Sequence, residues 1–92
     1  MNERSHPDYP RLAPGVRLHF DKVREAWVLL APERVIEAEG PASEILKRCD
    51  GKHSVDAIID ELAVVFTAER QVIAGDVIEM LRDMAVRGLL AT

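Results

Sequence analysis

The chain has 92 residues, 12 Lys and Arg against 16 Asp and Glu, a formal net charge of −4 and 48% apolar residues. Those figures fit one domain with a packed core, and exclude a second domain, a disordered chain or a membrane span of roughly 20 apolar residues. The polar, mixed-charge opening is not a secretory signal, the lone Cys49 gives no internal disulfide and points to a reducing, cytosolic setting, and the mild acidity argues against nucleic acid or an anionic membrane as the main partner.

Residues 1–10 carry Pro7 and Pro10 without periodicity and read as a flexible arm ahead of a single domain over 11–92. Val16-Arg17-Leu18-His19-Phe20 alternates, which predicts a first strand with Val16, Leu18 and Phe20 on one face. Residues 21–25 are a polar connector of hairpin length without the Asn-Gly signal. Ala26-Trp27-Val28-Leu29-Leu30 reads as the return strand. Ala31-Pro32-Glu33 interrupts it, because proline has no N–H to give to a ladder. Residues 34–39 then read as a third, short strand whose charged ends suit an exposed edge.

At Gly40-Pro41 the period changes, with Pro41 suited to the first helical position. A helix over about 41–49 sets Ala42, Ile45, Leu46 and Cys49 along one stripe, and Asp50-Gly51 stops it with a glycine available for a left-handed cap. Ser54 is the expected N-cap of a second helix over about 55–66. Thr67 is the expected cap of the last helix, which runs to about Arg87, turns Ile73, Val77, Leu81 and Met84 inward and ends at Gly88. Three short antiparallel strands followed by three helices make an α+β domain laid out like a winged helix-turn-helix.

The residues advertise no catalysis. His6, His19 and His53 have no helical spacing to one another or to Cys49, so no metal site is expected. Cys49 falls on an apolar stripe, as a buried thiol does, and has no local base. Asp76, Glu79 and Asp83 share one face of the last helix and read as a solvated charge row, since acid–base work would need a pocket that splits their pKa values. The five glycines stand singly, so there is no phosphate-cradling loop. Gly75 is unusual in mid-helix, where a small residue admits the approach of another backbone.

Helix-turn-helix order admits a small winged-helix DNA-binding regulator as an alternative. The charge map resists it: residues 40–92 hold six basic and nine acidic side chains, and the last helix would repel phosphate. An extended peptide suits the chain better. The third strand is the expected exposed edge, where unpaired N–H and C=O groups accept an incoming strand, with the last helix as the other wall. The competing reading is an edge merely blunted by Arg34, Glu37 and Glu39. Ile36→Pro is expected to weaken peptide binding, provided the Ile36 N–H is one that faces the peptide.

Arg11-Leu12-Ala13-Pro14-Gly15-Val16-Arg17-Leu18, Asp21 and Trp27-Val28-Leu29-Leu30-Ala31-Pro32-Glu33-Arg34 resemble the PqqD family of pyrroloquinoline quinone biosynthesis. The match continues through Ala42-Ser43-Glu44-Ile45-Leu46, Asp50-Gly51 and Asp76-Val77 to Gly88-Leu89-Leu90. The resemblance implies a peptide chaperone without cofactor or catalytic residues of its own. Such a chaperone binds the precursor PqqA as an added strand and presents it to the radical SAM enzyme PqqE, which links a glutamate to a tyrosine. It places peptide contact at Val35, Ile36, Glu37 and Ala38, and on the last helix near Val77, Leu81 and Met84. The oligomer is a monomer or a homodimer. Glu39-Gly40-Pro41 departs from the Leu-Asn/Asp-type helix entry of family members, which bears on how the third strand ends.

Overall fold

The computed structural model describes residues 9–91, so the arm expected over 1–10 lies mostly outside the described residues. Strand β1 (Arg17–Asp21), β2 (Ala26–Ala31) and β3 (Arg34–Glu37) form an antiparallel sheet in the order β1-β2-β3. The β1–β2 turn closes without an Asn-Gly pair because the Asp21 side chain accepts the N–H groups of Val23 and Arg24, at 3.0 and 3.2 Å. The β2–β3 turn is shorter than its sequence suggested. Ala31 pairs with Arg34, so Pro32-Glu33 is the whole loop, with Glu33 at φ 62°. Proline presets the first turn position, and a left-handed second position completes the reversal.

Leu18 pairs with Leu29 and Leu29 with Ile36, which puts one apolar row across the sheet toward the helices. The Ala38 N–H still donates to the Trp27 carbonyl at 3.0 Å, but β3 itself ends at Glu37. It stops short of the expected residue 39 because Gly40 turns the chain at φ 57°, ψ −128°, a conformation that disfavours any residue with a Cβ. Pro41 then opens helix α1 (Pro41–Lys47), as its fixed φ favours. Phe20 meets Trp27 edge-on at 5.3 Å, and the Lys47 ammonium sits 4.8 Å from the Trp27 ring, which ties the sheet to α1.

Helix α1 ends two residues before the expected Cys49, with Arg48 at its C-cap. Ser54 caps α2 (Val55–Val65), its hydroxyl accepting the Ala57 N–H at 3.0 Å. Thr67 does not cap α3 (Arg70–Val86). It lies in the connecting turn at φ 49°, and Glu69 precedes the helix without a side-chain cap bond. At the far end the Gly88 and Leu89 N–H groups donate to the Ala85 and Met84 carbonyls, at 3.1 and 2.9 Å, the paired bonds of a Schellman stop. Ile58, Leu62, Val77, Leu81 and Leu89 are fully buried, and burying each such side chain contributes about 1.5–3 kcal/mol.

Three separate stretches of the family-like pattern meet in one clip. Pro10 is buried, and its carbonyl accepts the Gly51 N–H at 2.9 Å. Leu12 bridges to Leu90, and the Ala91 N–H donates to the Arg11 carbonyl at 2.7 Å. Gly51 therefore seats the N-terminal segment instead of capping α1, and a Cβ there would stand 3.3 Å from Arg11 Cδ. Asp50 fixes this corner by accepting from the Lys52 N–H at 2.8 Å and facing His53 Nδ1 at 3.0 Å. No helix among the described residues is long and apolar enough to cross a membrane.

Candidate functional site

β3 pairs with β2 on one side only, so its other edge carries unpaired backbone groups. The Ala38–Trp27 bond fixes which residues those are. In an antiparallel ladder alternate residues face the same neighbour, so residues 34, 36 and 38 turn their backbone groups to β2. Val35 and Glu37 turn theirs outward. Ile36 is engaged with Leu29, so the condition set on Ile36→Pro is not met, and the informative position is Val35. The Val35 side chain is 57% exposed, while that of Ile36 packs on the core.

β3 leads directly to a groove. At the start of β3 the Arg34 guanidinium donates to the Arg87 carbonyl at the end of α3, at 3.4 Å. Past Gly40, Pro41, Ala42 and Ile45 of α1 stand across a groove of about 470 Å³ from Asp76, Glu79, Met80 and Asp83 of α3. One wall of the groove is apolar, and the other carries three carboxylates around a methionine.

The site residues expected from sequence fall into two groups. Val35, Ile36 and Glu37 form the edge strand, with Val35 and Glu37 open to an incoming backbone. Ala38, Val77, Leu81 and Met84 are 2, 0, 0 and 3% exposed, and their side chains belong to the core. The face that α3 presents to the groove lies a quarter to a third of a turn away from Val77, Leu81 and Met84. Asp76, Glu79 and Asp83 are exposed, as a solvated row would be, and with Met80 they line the groove. Gly75 is exposed, with nothing within 4 Å of where its Cβ would stand.

The electrostatics separate the groove from the rest of the helical half. Glu44 pairs with Lys47 and Arg48 at 3.0 Å each, and hydrogen bonds from both hold its carboxyl below the usual range. Arg48 also reaches Glu61 at 2.8 Å, and Arg70 joins Asp60 and Asp56 at 2.6 and 3.3 Å. In the groove Asp83 meets Arg87 at 3.2 Å, whereas Asp76 and Glu79 have no side-chain partner among the described residues. Cys49 lies outside the groove, its thiol donating to the Ile45 carbonyl at 3.3 Å and pushed up to about 12 by burial. Among the described residues no three His, Cys, Asp or Glu side chains converge as a metal site would need.

A three-stranded sheet whose β3 edge is open, set against a helical trio and a groove, defines a small winged-helix-like recognition module. Comparison with known proteins gives the family. The family model of coenzyme PQQ synthesis protein D (PqqD) matches residues 26–90, and the chain belongs to that family. It is 50% identical to a PqqA binding protein of Rhodopseudomonas palustris strain BisB5 over 98% of this chain and 85% of that one. It is 41% identical to a PqqA binding protein of Xanthomonas oryzae over 98% of each. Its fold is similar to the solution structure of the PqqD truncation of Methylobacterium extorquens PqqCD, a stand-alone recognition element for ribosomally synthesised and post-translationally modified peptides. That likeness has a TM-score of 0.76 at 40% identity, over 90% of this chain and 88% of that one. The crystal structure of PqqD from Xanthomonas campestris is similar with a TM-score of 0.61 at 42% identity, over 88% of this chain and 90% of that one.

Proposed function

We propose that this protein is a peptide chaperone of pyrroloquinoline quinone biosynthesis that holds PqqA as a fourth strand on β3. The observation that carries the reading is the open β3 edge leading into the α1–α3 groove, in a PqqD-family chain whose relatives are PqqA binding proteins. The outward N–H and C=O groups of Val35 and Glu37 supply the backbone bonds. The groove receives side chains from alternate positions of the added strand. Ordering a flexible precursor carries an entropic cost, so affinity depends on those side-chain contacts.

In this reading the protein works in the cytoplasm and presents the bound segment to the radical SAM enzyme PqqE, which links the glutamate to the tyrosine. The chemistry belongs to that partner. The groove offers carboxylates and apolar surface, and the one thiol is sunk in the core. The acidic outer face of α3 gives no hold on a phosphate backbone, which weighs against the DNA-binding alternative.

The test is an NMR titration of labelled protein with the PqqA-type precursor from the same genome. Shifts concentrated at residues 34–37 and 76–83 are expected. Saturating peptide that leaves those residues unmoved in a folded sample would overturn the reading.

A further inference from the structure

We infer that the groove selects a peptide segment that sets a Lys or Arg side chain against Asp76 and Glu79, with its methylenes lying on Ile45 and Met80. The inference rests on the peptide reading above and names the chemistry that the bound segment must carry. The groove is lined by one apolar wall and by one wall with three carboxylates, and among the described residues no basic side chain lines it. Asp83 is already engaged by Arg87 at its far side, at 3.2 Å. Asp76 and Glu79 are exposed and have no side-chain partner among the described residues, while the carboxylates of α1 and α2 named above are held by arginines or a lysine.

Only a side chain that is apolar along its stem and cationic at its tip complements both walls at once, and that describes Lys and Arg. A purely apolar side chain would satisfy Ile45 and Met80 but leave the carboxylates to water. An acidic one would meet like charge, so the same wall rejects as well as attracts. The position in the peptide follows from the strand geometry. Side chains of an added strand alternate between its two faces, so the basic residue stands two places from any other residue directed into the groove.

The experiment measures binding of the PqqA-type precursor to the wild-type protein and to Asp76→Asn/Glu79→Gln. Each Lys and Arg of the peptide is also replaced in turn by Gln. Both carboxylates are exposed, so the double variant should fold, and its circular dichroism and Tm check that. At low salt the double variant should bind about 5-fold more weakly, and one particular Lys or Arg→Gln peptide should lose as much. Combining the two changes should lose little more than either alone, and the difference should shrink toward none at 1 M salt. Unchanged affinity in the folded double variant, or losses that simply multiply for every basic position, would overturn the inference while leaving strand addition intact. A wild-type protein that binds no precursor at all would overturn the peptide reading and this inference with it.

Discussion

The two sides of α3 are built from interleaved residues and do opposite work. Ile73, Val77, Leu81 and Met84 face the core and are nearly without solvent contact, while Asp76, Glu79, Met80 and Asp83 line the groove. Helical periodicity dictates the first set almost completely, because a domain this small needs every long apolar stripe for its core. The second set has no such compulsion. Its role comes from the elements that happen to stand opposite, here the first residues of α1. The lesson is that an inward stripe is a statement about one helix, whereas a binding wall is a statement about two.

The largest effect should come from breaking the inner side. Leu81→Ala is expected to lower stability by about 2–5 kcal/mol, read by chemical denaturation, in a domain whose whole stability is of order 5–15 kcal/mol. Val77→Asp, which places a charge at a fully buried site, should leave the protein unfolded by circular dichroism. A folded Val77→Asp variant with weakened peptide binding would instead show that Val77 can reach the groove.

The edge strand offers the same comparison along one dimension. Ile36→Pro should destabilise the fold by about 1–3 kcal/mol, because it leaves an acceptor on β2 unpaired. Val35→Pro spares the β2–β3 ladder and should weaken binding of the PqqA-type peptide about 5-fold, the worth of one backbone hydrogen bond near 1 kcal/mol. Calorimetric titration beside thermal melts separates the two. A larger loss of stability in Val35→Pro than in Ile36→Pro would mean that the alternation assigned to β3 is reversed.

Gly75 sharpens the contrast on the solvent side of α3. Since nothing stands near its missing Cβ, Gly75→Ala should raise stability by about 1 kcal/mol. A stabilised variant with impaired binding would show that the added strand needs the bare backbone there.

The smallest effect should be at the N-terminal clip. The His53 hydrogen bond, aided by the Lys52 N–H, pulls the Asp50 carboxyl down to about 2 from an ordinary 3.8. A depressed carboxyl stabilises the fold fully above its ordinary range and loses that contribution as pH falls toward 2. Asp50→Asn should therefore melt below the wild type at pH 6, with the gap between the two melting curves narrowing as pH falls from about 4 toward 2. A gap as wide at pH 2 as at pH 6 would assign the effect to something other than charge.

Most of the fold is legible in the sequence, for reasons that can be named. Alternation gives β1, Pro41 and Ser54 mark two helix starts, and Gly88 marks the last stop, each through a local rule of sterics or capping. The misreadings fall where local rules tie. Thr67 is a good cap by type, but the chain spends it in a left-handed turn, and α3 starts three residues later. Gly51 has the expected positive φ but serves a contact forty residues away in sequence, which no local pattern encodes. The candidate site is legible in part. The edge strand shows because Arg34, Glu37 and the Pro32-Glu33 turn all mark an exposed margin. The apolar stripe of α3 points to its core face, and only the groove between α1 and α3 makes the acidic row and Met80 a lining.

The most direct test of the central claim is backbone hydrogen exchange at Val35, Ile36 and Glu37, with and without saturating PqqA-type peptide. In the free protein the Ile36 amide should already be protected and those of Val35 and Glu37 should exchange freely. With peptide, Val35 and Glu37 should become protected while Ile36 changes little. Bound peptide that leaves Val35 and Glu37 exchanging as before would contradict strand addition at β3.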